Sequence, residues 1–137
     1  MAIKLITGGC HCGAVRYEAA EPPSTVSHCH CVDCRRSSGA PFVTWATFPR
    51  NAVHFRGNEP RQFLREGRLR GFCAQCGTSV TFLVGADAGA IDVTVGSFDE
   101  PETVLPTCHS WVEDRLSWTP LADELPAYAQ ALPEGVP

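Results

Sequence analysis

The chain has 137 residues, 44% of them hydrophobic, and carries 11 basic and 15 acidic side chains for a formal net charge of -4 at pH 7. That length suffices for a single domain, residues 1–137, whose core needs no cross-links to fold. The acidic balance argues against general affinity for nucleic acid or anionic membrane, and no apolar run approaches the roughly 20 residues of a bilayer span.

In chain order, MAIKLITGG offers no signal-like segment, so a soluble, cytoplasmic protein is expected, with small molecules or proteins as partners. AVRYEA (14–19) alternates Val15, Tyr17 and Ala19 with polar neighbours, the period of a half-buried strand. STVSHCH carries a second strand into a cysteine cluster, and PFVTWATFP, rich in aromatic and β-branched residues and closed by proline, predicts a third. NAVHF follows as a short strand, RQFLREGRLRGF reads as a hairpin turning at Glu66 and Gly67, and SVTFLVG and AIDVTVGSF pair across ADAG. HSWVE is the last strand candidate. A short helix is expected over residues 125–132, with Pro126 in its first turn. No strand-to-helix alternation, glycine-rich phosphate loop or dinucleotide fingerprint is present, so the fold class is mainly β.

Eight cysteines are many for a chain of this size, and they cluster: Cys10 and Cys12 in CHC, Cys29, Cys31 and Cys34 in CHCVDC, Cys73 and Cys76 in CAQCG, and Cys108 alone. Disulfides would require a secreted protein, and cysteines one residue apart seldom bridge. The short spacings fit chelation, since two thiolates on a tight turn converge on one ion. A structural zinc takes four protein ligands, whereas a catalytic one keeps a position open. Cys73 and Cys76 need a second pair. Cys10 with Cys12, or two members of the triple, could supply it, and spacing alone does not choose. The first division is the more economical, because it leaves three thiolates as an open site.

CHCGAVRYEA, CHCVDCRRSSGAPFVTW and GFCAQCGTSVTF together resemble the glutathione-dependent formaldehyde-activating family, also called GFA or centromere-protein-V-like, over Gly8 to about Trp118. The resemblance implies an Mss4-like, zinc-stabilised β fold. It implies a structural zinc on Cys10, Cys12, Cys73 and Cys76 and a catalytic zinc on Cys29, Cys31 and Cys34, up to two ions per chain. It further implies a carbon-sulfur lyase acting on a thiol and an aldehyde, or their adduct, with glutathione as co-substrate in the founding reaction that gives S-hydroxymethylglutathione. Four plus three leaves Cys108 outside both sites.

Three thiolates on a divalent ion leave one negative charge, which suits holding a thiol as thiolate better than polarising a carbonyl. Around the triple, Arg35 and Arg36 are candidates to grip a substrate carboxylate, and Ser37, Phe42 and Trp45 candidates to line a thiol pocket. Asp33 is expected to cap the following turn, and His28 and His30 to hydrogen-bond away from the metal. A non-catalytic zinc-stabilised protein-binding module is the alternative function. An open metal position would separate the two.

Overall fold

The computed structural model describes residues 4–121 and 123–136. Three short strands, β1 (Ile6–Gly9), β2 (Arg16–Ala19) and β5 (Val53–Phe55), form one antiparallel sheet in the order β1-β2-β5. The second sheet has seven strands in the order β10-β3-β4-β9-β8-β7-β6. They are β3 (Thr25–Cys29), β4 (Val43–Pro49), β6 (Arg61–Arg65), β7 (Arg68–Phe72), β8 (Ser79–Val84), β9 (Ala90–Thr94) and β10 (Cys108–Ser110). All neighbours are antiparallel except β10, which runs parallel to β3.

The period of two sorts the large sheet into two chemically different faces. One row across it joins Val26, Ala46, Val93 and Thr81, and this face packs with Tyr17, Ala19 and Val53 of the small sheet and with Val15 just before β2 into the main core. The opposite face carries a row of Thr25, Thr47, Asp92, Phe82 and Arg70, with Cys29 and Trp45 further along β3 and β4. Cys29, Asp92 and Arg70 thereby share the face turned away from the core. Gly8 packs closely between β2 and the turn after β9: a Cβ there would lie 2.3 Å from the hydroxyl of its register partner Tyr17, which itself bonds Ser97 Oγ at 2.6 Å. Any larger residue there would displace a core tyrosine.

The β6–β7 hairpin turns at Glu66 and Gly67, both with positive φ (50° and 75°), as the two-residue loop between Arg65 and Arg68 requires. Several elements differ from expectation: β1 forms where no strand is expected, and of HSWVE only His109 and Ser110 are strand, Val112–Asp114 forming a 3-10 turn. Residues 125–132 are not helical. The tail runs extended along the free edge of β10, with His109 N–H donating to the Pro126 carbonyl (2.8 Å) and Tyr128 N–H to the His109 carbonyl (2.9 Å). A short isolated helix is marginal in water, whereas an unpaired strand edge offers partners at once. The helix lies instead at Val32–Ser38 (α1), where the sequence reads as a loop. Gly39 ends it in the left-handed conformation (φ 72°), its N–H on the Arg35 carbonyl at 2.7 Å.

Candidate metal centres

The chain brings four sulfurs together from two tight turns: Cys10 and Cys12 follow β1, and Cys73 and Cys76 lie between β7 and β8. All four ligand atoms fall within 4.8 Å of one another. Cys10 and Cys12 sulfurs are 3.6 Å apart, and those of Cys12 and Cys73 3.8 Å. Ligands at about 2.3 Å in a tetrahedron stand about 3.8 Å apart, so these spacings fit a zinc ion. Backbone supports the sulfurs, as a chelating thiolate requires: Val15 N–H donates to Cys10 Sγ at 3.2 Å and Gln75 N–H to Cys73 Sγ at 3.4 Å. Gly77, at φ 79°, lets its N–H close the second turn on the Cys73 carbonyl. Contact with the Thr78 hydroxyl brings the Cys76 thiol down to about 5.

A second group joins Cys29, Cys31 and Cys34, again within 4.8 Å. Cys29 ends β3. Cys31 is the N-cap of α1, and its sulfur accepts the Cys34 N–H at 3.2 Å. Cys34 sits one turn on, where residues three apart share a helix face. The capping role expected of Asp33 thus belongs to Cys31. Cys34 is lowered to about 3 by bonds from Cys29 and Cys31, with Trp45 and Arg70 helping, while Cys29 is pushed up by Cys31, Cys34 and burial.

This group lies open to a cavity of about 470 Å³ whose lining includes Trp45, Phe82, Trp111, Arg70 and Asp92. Arg70, on β7, joins the site without having been a candidate from the sequence. Its guanidinium stacks over Phe82 at 4.8 Å, bonds Ser37 Oγ at 3.0 Å and stands 3.8 Å from Cys34 Sγ. Among the pocket candidates, Trp45 lines this cavity, while Arg36 and Ser37 line an adjoining one shared with Arg65, Arg68 and Arg70. Phe42 packs on the rings of His28 and His30, and Arg35 lines neither cavity. Trp118 is 68% exposed. Cys108 stands outside both sulfur groups, fully buried, with its sulfur 4.0 Å from the Val26 carbonyl.

Asp92 was likewise not legible as a site residue. Thr47 Oγ1 donates to it at 2.5 Å, and burial raises its carboxyl against that bond. A carboxyl raised on folding opposes folding once ionised, so this contribution to stability is best below its ordinary value of 3.8 and is lost as pH rises through the shifted one. Asp92→Asn keeps the acceptor for Thr47 and removes the charge. It is expected to melt above the parent protein at pH 7, with the gain vanishing below pH 3.8 in paired thermal unfolding curves; a gain equal at both pH values would contradict the assignment.

Fold and site define a class: a mainly β protein with a short helix and two cysteine clusters of metal-chelating geometry. A family model described as glutathione-dependent formaldehyde-activating enzyme matches residues 5–114, and the chain belongs to this GFA family. An uncharacterized lyase of Schizosaccharomyces pombe is 29% identical over 75 residues, 55% of either chain. A Halomonas elongata protein provisionally named a glutathione-dependent formaldehyde-activating enzyme is 44% identical over 36 residues, 26% of this chain and 23% of its own. The matched stretches thus span about half and about a quarter of those relatives' lengths. The crystal structure of a Rhodobacter sphaeroides protein superposes with a TM-score of 0.54 at 22% identity, covering 89% of this chain and 98% of the other, a likeness of fold. Among the described residues no helix is long and apolar enough to cross a membrane.

Proposed function

We propose that this chain is a zinc-dependent enzyme that makes or breaks the carbon-sulfur bond of a thiol–aldehyde adduct, S-hydroxymethylglutathione being the adduct to which the family description points. The cavity over Cys29, Cys31 and Cys34, with an arginine against one sulfur, is the observation that carries this reading. Zinc bound there would supply a Lewis acid that keeps a substrate thiol, ordinarily near pKa 8.5, as its thiolate at neutral pH. Cys10, Cys12, Cys73 and Cys76 would hold a structural zinc, their four sulfurs leaving no position for substrate.

The chain's own residues supply the rest. Arg70 offsets the negative charge that three thiolates leave on a divalent ion. Trp45, Phe82 and Trp111 keep water from one side of the cavity. Arg36, Arg65 and Arg68 in the adjoining cavity suit the carboxylates of an acidic thiol. In the forming direction the thiolate sulfur bonds the aldehyde carbon, and the proton lost by the thiol ends on the former carbonyl oxygen. Asp92, a cavity-lining carboxyl, is suited to exchange that proton. A non-catalytic zinc-stabilised binding module would give no role to an open cavity over three sulfurs.

Glutathione and formaldehyde should reach equilibrium with their adduct faster with the protein than in buffer, as followed by magnetic resonance. Arg36→Ala should weaken glutathione about tenfold and a neutral thiol far less. A rate equal to that in buffer, with no response of the metal site to glutathione, would sink the assignment. A site that answered to no small thiol would favour the binding module.

A further inference from the structure

On the opposite face of β3 from Cys29 lies a second donor set, made of nitrogen and oxygen alone. One ring nitrogen from each of His28 and His109 and a carboxylate oxygen of Asp123 lie within 4.8 Å of one another. The topology brings them there. His28 and His109 are register partners in the parallel β3–β10 pair, so their rings stand side by side with centroids 4.8 Å apart. The segment that returns along β10 then delivers Asp123, whose carboxylate oxygens lie 3.0 and 3.1 Å from His109 Nε2.

A salt bridge between His109 and Asp123 would explain two of these residues but not the third. His28 is held by its other end: Nδ1 is 2.7 Å from the hydroxyl of Thr44, its register partner on β4. That leaves Nε2 as its free lone pair, and among the described residues nothing bonds it. His109 is held in the same way, its Nδ1 2.9 Å from Nε2 of the fully buried His30. The carboxylate is oriented by the Leu125 N–H, which donates to Oδ1 at 3.2 Å. Fixing each ligand through its far atom is how proteins prepare imidazole and carboxylate donors for a metal. The 3.0 Å between His109 Nε2 and the Asp123 carboxylate equals the separation of adjacent ligands of an octahedral ion at about 2.1 Å, and His28 lies within 4.8 Å of both.

From this geometry we infer that His28, His109 and Asp123 form a site for a divalent first-row metal ion, distinct from both cysteine groups. His28 Nε2, His109 Nε2 and the Asp123 carboxylate are the protein ligands, and water fills the remaining positions on the exposed Asp123 side. Loading requires His109 to carry its proton on Nδ1, donated to His30 Nε2, and His30 to carry its own on Nδ1. Both rings stay neutral and only exchange tautomers. Two imidazoles and a carboxylate without sulfur select cobalt, nickel, iron or zinc in octahedral or five-coordinate geometry over the tetrahedral thiolate environment. The ion would tie the tail to β3 and β10, and the same tail places Ala131 and Leu132 in the lining of the cysteine cavity. The inference stands independently of the proposed activity.

The test uses the full chain given two equivalents of zinc, enough for its two cysteine groups, and then titrated with cobalt(II). One further equivalent is expected to bind with a dissociation constant on the order of 10 µM. It should give weak visible bands without thiolate charge transfer, together with two hyperfine-shifted exchangeable imidazole protons, the Nδ1–H of His28 and of His109. Asp123→Asn keeps an oxygen for the His109 and Leu125 N–H groups, so the tail stays docked, and should weaken this binding at least about tenfold. His28→Gln should remove one of the shifted protons. Absence of saturable cobalt binding, cobalt entering only with thiolate charge-transfer bands, or affinity undiminished in both variants would each overturn the site.

Discussion

Cys73→Ala is expected to release the metal of the four-sulfur group and to abolish cooperative unfolding. Cys73 is 2% exposed, and its sulfur stands 3.8 Å from that of Cys12, on a turn 61 residues away in sequence. Apparent binding energies of structural zinc in small peptides run to about 10–16 kcal/mol. The whole stability of a domain is only about 5–15 kcal/mol, so losing even part of the metal term removes most of it. The turn itself would survive poorly, because the Gly77 N–H to Cys73 carbonyl bond and the Cys73 N–H to Thr78 carbonyl bond stabilise a conformation that converging thiolates define. Zinc content by atomic emission and a thermal melt decide the matter. Unchanged zinc and an unchanged midpoint would place the structural ion elsewhere.

Cys31→Ser should produce the opposite pattern, a folded protein without the second metal and without activity. Cys31 caps α1 through its sulfur, and serine is among the best residues at an N-cap, so the hydroxyl can accept the Cys34 N–H in its place. Helix and core should therefore persist while a thiolate is exchanged for a poor zinc ligand. Replacing a residue that only supports a metal ligand costs about 10–100-fold, so removing a ligand should cost at least about 100-fold in adduct formation. The four-sulfur group should keep its zinc, and metal content should fall from about two ions to about one. Full activity with both ions retained would remove the three-sulfur group from the chemistry.

The strands that the sequence announced best are those whose neighbours enforce one face. In PFVTWATFP, Ala46 and Phe48 alternate with Trp45 and Thr47, and the structure turns the first pair into the core and the second toward the cavity. The Glu66–Gly67 turn was legible for a local reason as well, since a two-residue loop demands positive φ. Helix α1 was not. VDCRRSS has neither an apolar period nor strong helix formers, and its cap is a sulfur. The tail misled in the other direction, because ADELPAYAQAL contains good helix formers and an early proline, whereas what decided its conformation was an unpaired edge contributed by β10. Local preference is worth tenths of a kcal/mol per residue, and an open row of backbone donors and acceptors outweighs it.

At the site the division is similar. Cysteine spacing along the chain fixes which sulfurs can share a turn, because a chelating pair one to three residues apart is a local property. Which turns meet is set by strand order, and that order brings the β1 turn against the β7–β8 turn and leaves the triple facing its own cavity. Arg70, Asp92 and the His28, His109 and Asp123 set come from separate strands and the returning tail, and nothing in their immediate neighbours marks them. They become a site only when the register aligns Asp92 with Phe82 and Arg70 across three strands, and His28 with His109 across two. Side chains that meet across strands are chosen by sheet pairing, which depends on contacts far apart in sequence, while those that meet within a turn are chosen by the chain's own short reach.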